Sequence, residues 1–227
     1  MIRVLILTGN PGMIHDWRAT TPIIREALEE SGFEVRVVEE PAILETRTLM
    51  TYDILLSNYN EERYRWPRKQ ENGLLNFVKG GKGFVVIHAA DNAFPKWPEY
   101  ERLIGGAWRE ETYHLKYQVF RVKIADKNHV ITKDMEDFEI CDELYCNLKM
   151  QSNIHLLAYS TSPFFSKEEY LSGATPSHEG KNQPVAWTLD YGKGRVFQVT
   201  LGHDVQSMKN SNFIRLLING TKWASGS

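Results

Sequence analysis

Cysteine is scarce. The chain of 227 residues has two, Cys141 and Cys146. One close pair sets no disulfide framework and, without partner ligands, no zinc site. Both are read as reduced thiols, in keeping with a cytoplasmic setting. Long apolar runs are missing: none approaches the roughly 20 residues that a membrane-spanning helix needs. No membrane partner is expected. An excess of one charge sign is missing as well, because 27 Lys and Arg face 29 Asp and Glu. That balance excludes the basic surface of an electrostatic nucleic-acid binder. The N-terminus, MIRVLILTGN, lacks a small-residue cleavage site and reads as a first strand rather than a signal peptide. With no repeat, low-complexity tract or linker, residues 1–227 are read as one domain.

What is present is an alternation of strand and helix signals. Ile2 to Leu7, Phe33 to Val38, Asp53 to Ser57 and Phe84 to His88 are short apolar runs bounded by turn formers, the pattern of buried strands. Between them, Thr20 or Thr21 before Pro22 marks a helix start. Arg68 to Lys79 has helical spacing of Leu74, Leu75 and Val78 and stops at Gly80-Gly81. Trp97 to Ile104 reads as a short helix. Leu115 to Ala125 and Ile154 to Tyr159 read as strands, and Pro184 to Leu201 as a hairpin around a Gly-Lys-Gly turn. Phe213, Leu216, Leu217 and Trp223 give a terminal amphipathic helix. The expected fold is α/β: a mostly parallel, doubly wound, flavodoxin-like sheet with helices on both faces.

Two predicted strands run straight into a histidine: VVIHAAD ends on His88 and VFQVTLGHD on His203-Asp204. In an open α/β sheet, the loops beyond the strand ends share one rim, and ligands bind there. The loop after the first strand brings His15 and Trp17 toward the same rim. Imidazole exchanges protons near neutral pH and binds transition metals. His15, His88 and His203 are therefore a candidate ligand set for a divalent metal such as zinc. Alternatively, His88, His203, Asp204 and Glu143 act as acid–base groups. Hydrolases of this architecture carry a nucleophile at the strand-to-helix elbow, but His88 stands there without Ser or Cys. Aromatic and amide side chains in loops are suited to holding a sugar. Trp17, Asn58, Tyr59, Trp66, Asp91, Asn92, Trp108 and His114, with His15, are the candidate substrate contacts.

Five segments carry a family resemblance: LSNYNEERYRWP (Leu56–Pro67), VKGGKGFVVIHAADNAFPKWPEYERLIGGAW (Val78–Trp108), DELYCNL (Asp142–Leu148), PVAWTLDYGKGRVFQVTLGHD (Pro184–Asp204) and NFIRLLINGTKWASG (Asn212–Gly226). In these the chain resembles the trehalose-utilisation (ThuA-like) family, whose fold is similar to class I glutamine amidotransferases. The resemblance implies that His88 replaces the amidotransferase cysteine and that His203-Asp204 replaces its His-Pro-Glu. Glutamine hydrolysis is therefore not expected. Gln183-Pro184 stands where many relatives have His-Pro; His178 is the nearby histidine. The family implies a small-molecule sugar partner, trehalose-like disaccharides or their 3-keto derivatives. Hydrolysis, elimination and isomerisation all remain open, as does a non-catalytic sugar-binding or scaffolding role. A homo-oligomer is compatible with the sequence.

Overall fold

The computed structural model describes residues 1–9, 15–163 and 180–226. The chain opens with β1 (Arg3–Gly9), α1 (Trp17–Glu30), β2 (Glu34–Val38), β3 (Ile54–Tyr59), α2 (Arg68–Lys79) and β4 (Gly83–Ile87). It continues through α3 (Pro98–Ile104), β5 (Gly106–Ala107), β6 (Tyr113–His114), β7 (Gln118–Ile124) and β8 (Phe138–Asp142). Then come β9 (Tyr145–Cys146), β10 (Lys149–Met150), β11 (His155–Thr161), β12 (Asn182–Tyr191) and β13 (Gly194–Val199), and last α4 (Val205–Met208) and α5 (Ser211–Ala224). No helix among the described residues is long and apolar enough to cross a membrane.

Nine strands form one sheet in the order β2-β1-β3-β4-β13-β12-β11-β7-β8. From β2 to β13 all neighbours are parallel. Beyond β13 the pairing turns antiparallel, starting with the β12–β13 hairpin. Apolar alternation along β1 explains the layering. Val4 and Ile6 join one core with Ile24 and Leu28 of α1 and with Phe213, Leu216 and Leu217 of α5. Leu5 and Leu7 face the other core, with Phe77 of α2 and Leu103 and Ile104 of α3. Side chains on successive strand residues point to opposite faces, so every strand of the parallel half feeds both layers.

The start of α1 is set by a side-chain cap. Asp16, not Thr20 or Thr21, caps α1 by accepting from the Ala19 N–H at 3.1 Å. Pro22 therefore lies inside the helix rather than at its first position. The Pro22 signal misplaced the boundary because the Asp cap three residues before Ala19 satisfies the exposed N–H groups first.

The parallel register brings four strand ends level. Gly9 of β1 pairs with Tyr59 of β3, and Val199 of β13 pairs with Ile87 of β4. Strand order reverses direction of growth at β1, with β2 on one side and β3 on the other. The crevice beyond the carboxyl ends at such a switch point is where this architecture places ligands.

Candidate functional site

The site begins at the end of β4. His88 follows Ile87 with φ +47°, a left-handed conformation that costs a non-glycine residue about 1 kcal/mol or more. A short 3-10 turn, His88–Asp91, then leads away. His88 is buried, and its Nδ1 lies 2.7 Å from the Thr200 carbonyl oxygen. A carbonyl only accepts, so Nδ1 carries the proton and Nε2 presents a lone pair to the rim. Burial, reinforced by His15, holds the His88 pKa well below its ordinary value, so the ring is neutral.

Three groups converge on that lone pair. His15 Nε2 lies 3.2 Å away and the Tyr145 hydroxyl 2.8 Å away, while Glu143 Oε2 is at 3.7 Å. Burial and the neighbouring His203 push the His15 pKa down to about 4. Glu143 Oε2 also lies 3.1 Å from His203 Nδ1, and Oε1 lies 3.4 Å from His114 Nδ1. This carboxylate holds the His203 pKa above its ordinary value. Burial alone would raise the Glu143 pKa, but His203 and the other imidazoles outweigh it and hold the group ionised.

His203 is placed by a turn. Gly202 has φ +116°, and a Cβ there would meet Met208 at 2.9 Å. The buried Asp142 carboxylate accepts the Gly202 N–H at 2.7 Å, the Glu143 N–H at 2.7 Å and the His203 N–H at 3.3 Å. One carboxylate thus ties the Glu143 loop to the His203 loop. Its burial raises its pKa to about 6.

The four donors fit a metal ion. One ligand atom each from His15, His88, Glu143 and His203 lie within 4.8 Å of one another. A tetrahedron with bonds of about 2.1 Å has edges of about 3.4 Å. Three of the six separations, at 3.1, 3.2 and 3.7 Å, bracket that edge, and all six are within 4.8 Å. Two neutral imidazoles and an ionised carboxylate are the protonation states a divalent ion needs.

The expected contacts divide. Trp17 and Asn58 line a small cavity with His15, His88 and His203. Trp17 also carries the Arg18 guanidinium 4.1 Å over its ring. Asn58 donates to Thr20 and Thr21. Asn92 and Trp108 line a separate open cleft of about 890 Å³ that holds none of the four donors. His114 stands at the rim beside Glu143. Three expectations are corrected. Asp204, expected as an acid–base group, is engaged elsewhere: it caps α4 through the Ser207 N–H and accepts from the Tyr117 hydroxyl at 2.8 Å. Asp91 is fully buried, its carboxyl held above the usual range by burial, with Gln198 Nε2 at 3.3 Å, so it offers nothing to a substrate. Tyr59 is buried in the core and packs on the half-buried Trp66, which packs on Phe94 and lines a third cleft with Arg65 and Trp97; neither lines the cavity of the four donors. His178 lies outside the described residues. Gln183 is buried and accepts the Asn147 N–H.

Sequence reasoning gave no role to Asp142 or Tyr145. Asp142 is the last residue of β8 and Glu143 the first of the loop beyond it, and only the fold shows which of the two carboxylates faces the rim. Tyr145 carried no signal beyond its place in DELYCNL.

An open α/β sheet with a histidine and carboxylate cluster beyond its parallel strand ends defines a rim-site protein of the doubly wound class. The chain belongs to the trehalose-utilisation (ThuA) family, whose model matches residues 3–224. A ThuA-like protein from Parabacteroides merdae ATCC 43184 is 26% identical, with 99% of this chain and 90% of that chain covered and a TM-score of 0.81. A ThuA-like protein from Bacteroides uniformis ATCC 8492 is 17% identical, with 98% and 91% covered and a TM-score of 0.74, a likeness of fold. A cytoplasmic protein from Salmonella typhimurium LT2 shares the fold at 14% identity, 99% coverage of both chains and a TM-score of 0.65. No curated protein matches the chain.

Proposed function

We propose that the protein is a carbohydrate-processing enzyme whose centre is a divalent transition metal, zinc in the first instance, held by His15, His88, Glu143 and His203. The observation that carries the reading is the convergence of those four donors, whose ligand atoms all lie within 4.8 Å of one another. Family membership supports a carbohydrate-related role. The substrates that suit the site are trehalose-like disaccharides and their 3-keto derivatives. A carbonyl acidifies the adjacent C–H, so a site that removes a proton and stabilises the resulting oxyanion can isomerise a keto sugar or eliminate its glycosidic group. The metal supplies Lewis acidity toward a carbonyl or hydroxyl oxygen. The chain's own residues supply the rest. Thr200 fixes the His88 tautomer, and Asp142 fixes the turn that carries His203. His114, outside the four donors at the exposed rim, is the group available to exchange a proton. Trp17 and Asn58 line the small cavity beside the donors, and the larger open cleft bordered by Trp108 and Asn92 is the surface with room for a sugar ring. Acyl transfer through a cysteine is not part of this reading. His88 occupies the elbow, Cys146 is buried on β9, and Cys141 lies on β8.

The test pairs metal content with turnover. Purified wild type, never exposed to chelator, is compared with His203→Ala by mass spectrometry and with a 3-keto-disaccharide as substrate. Stoichiometric metal in wild type, its loss in the variant, and a fall in turnover of about a hundredfold or more are expected. Wild type that holds no metal and takes up none from added zinc would refute the metal centre. Metal without turnover on glycosides or keto-glycosides would leave a binding protein.

A further inference from the structure

Tyr145 sits against the one metal donor that is wholly inside the protein. It belongs to β9, which pairs with β6, and its side chain is buried. Its ring packs 4.7 Å from the His88 ring and 4.8 Å, edge to face, from the Trp108 ring. Its hydroxyl oxygen lies 2.8 Å from His88 Nε2. The direction of that bond follows from His88 itself. Nδ1 spends its proton on the Thr200 carbonyl, so Nε2 is the acceptor and the phenol must donate.

An imidazole nitrogen of this kind has one lone pair in the ring plane. A phenol O–H and a metal ion cannot share it. We propose that Tyr145 competes with the metal for His88 Nε2 and so sets the affinity of the site; this rests on the metal-centre reading above. The phenol is held to its place from behind. Trp108 closes one side of the ring and His88 the other, so the oxygen stays within reach of Nε2. Without metal, the O–H satisfies a buried acceptor whose other hydrogen-bonding neighbour among the described residues is His15. When metal binds, this hydrogen bond breaks, and the metal must repay it. Tyr145 thus weakens the site by the free energy of that one hydrogen bond, by the same factor for every ion that takes Nε2.

Tyr145→Phe isolates the effect, because it keeps the ring between Trp108 and His88 and deletes only the oxygen. Zinc affinity of both proteins is read by competition with a chromophoric chelator. The variant is expected to bind zinc about three- to tenfold more tightly, the value of one buried hydrogen bond. Equal affinity would overturn the proposal, and weaker binding would overturn it in favour of the phenol as a supporting group or ligand. If wild type and variant both ignore zinc, the metal centre itself has failed and the proposal falls with it. A measurement on wild type alone guards against a variant that does not fold. The nitrogen-15 resonance of His88 Nε2 should carry the signature of an accepted hydrogen bond without zinc and of metal ligation with it. A buried Tyr145 hydroxyl proton that keeps its hydrogen-bonded shift at saturating zinc would refute the competition.

Discussion

Acid should unfold this protein partly through His15. Its pKa is about 4 in the folded chain against 6.5 for an ordinary histidine, because burial and the nearby His203 oppose its charge. Between those values the unfolded chain binds a proton that the folded chain does not. Stability contributed by the neutral ring is therefore present at high pH and is lost as pH falls from about 6.5 to about 4. At about 1.36 kcal/mol per pH unit the whole difference is worth about 3.4 kcal/mol, of which about 2.5 kcal/mol is lost between pH 7.5 and 4.5. Water around the partly exposed ring makes that an upper value. The perturbation is His15→Gln, which keeps a polar side chain and removes the titration. It also relieves His88, whose pKa His15 helps to lower, so both consequences have the same sign. Urea unfolding of metal-free protein at pH 7.5 and 4.5 gives four free energies. Wild type should lose up to about 2.5 kcal/mol more than the variant over that interval. Equal losses in the two proteins would refute the depressed pKa of His15.

Glu143→Gln should lower the His203 pKa, measured by NMR titration, because the carboxylate 3.1 Å from Nδ1 is what raises it; an unmoved pKa would mean that other charges set it. Gly220→Ala should destabilise the chain by about 1–3 kcal/mol in urea unfolding, since a Cβ there would meet the Phe197 ring at 2.3 Å. A stability gain, as helix propensity alone would favour, would show that the α5–β13 contact relaxes freely.

Much of the parallel half was legible because its strands are short apolar runs between turn formers, and α2 was legible to the residue because Gly80-Gly81 ends it. His88 and His203 were legible as a pair because each directly follows a strand, and parallel strands put their ends level. The other members were harder. Glu143 and Asp142 are neighbours at the point where β8 ends; nothing local says which carboxylate goes to the rim and which ties two loops together. Asp204 was misread because its proximity to His203 outweighed its place before a helical turn, where Asp is a preferred cap. Tyr59 and Trp66 show the ambiguity of loop aromatics: the same rings that would hold a sugar also fill the space beneath a long connection. The β12–β13 hairpin was legible from its glycine turn, but the pairing of β4 with β13, more than a hundred residues apart, is a property of the whole sheet.

The four donors arrive from four separate connections, after β1, after β4, after β8 and after β13. No fragment of the chain contains more than part of the set in its working position. The loops between them must close before the last donor arrives, and their closure entropy is met by strand pairing first. An ion bound there would act as a clasp on a finished sheet. It would stay out of reach of nascent or nicked chains, and its retention would report that the first and last parallel strands are both in register.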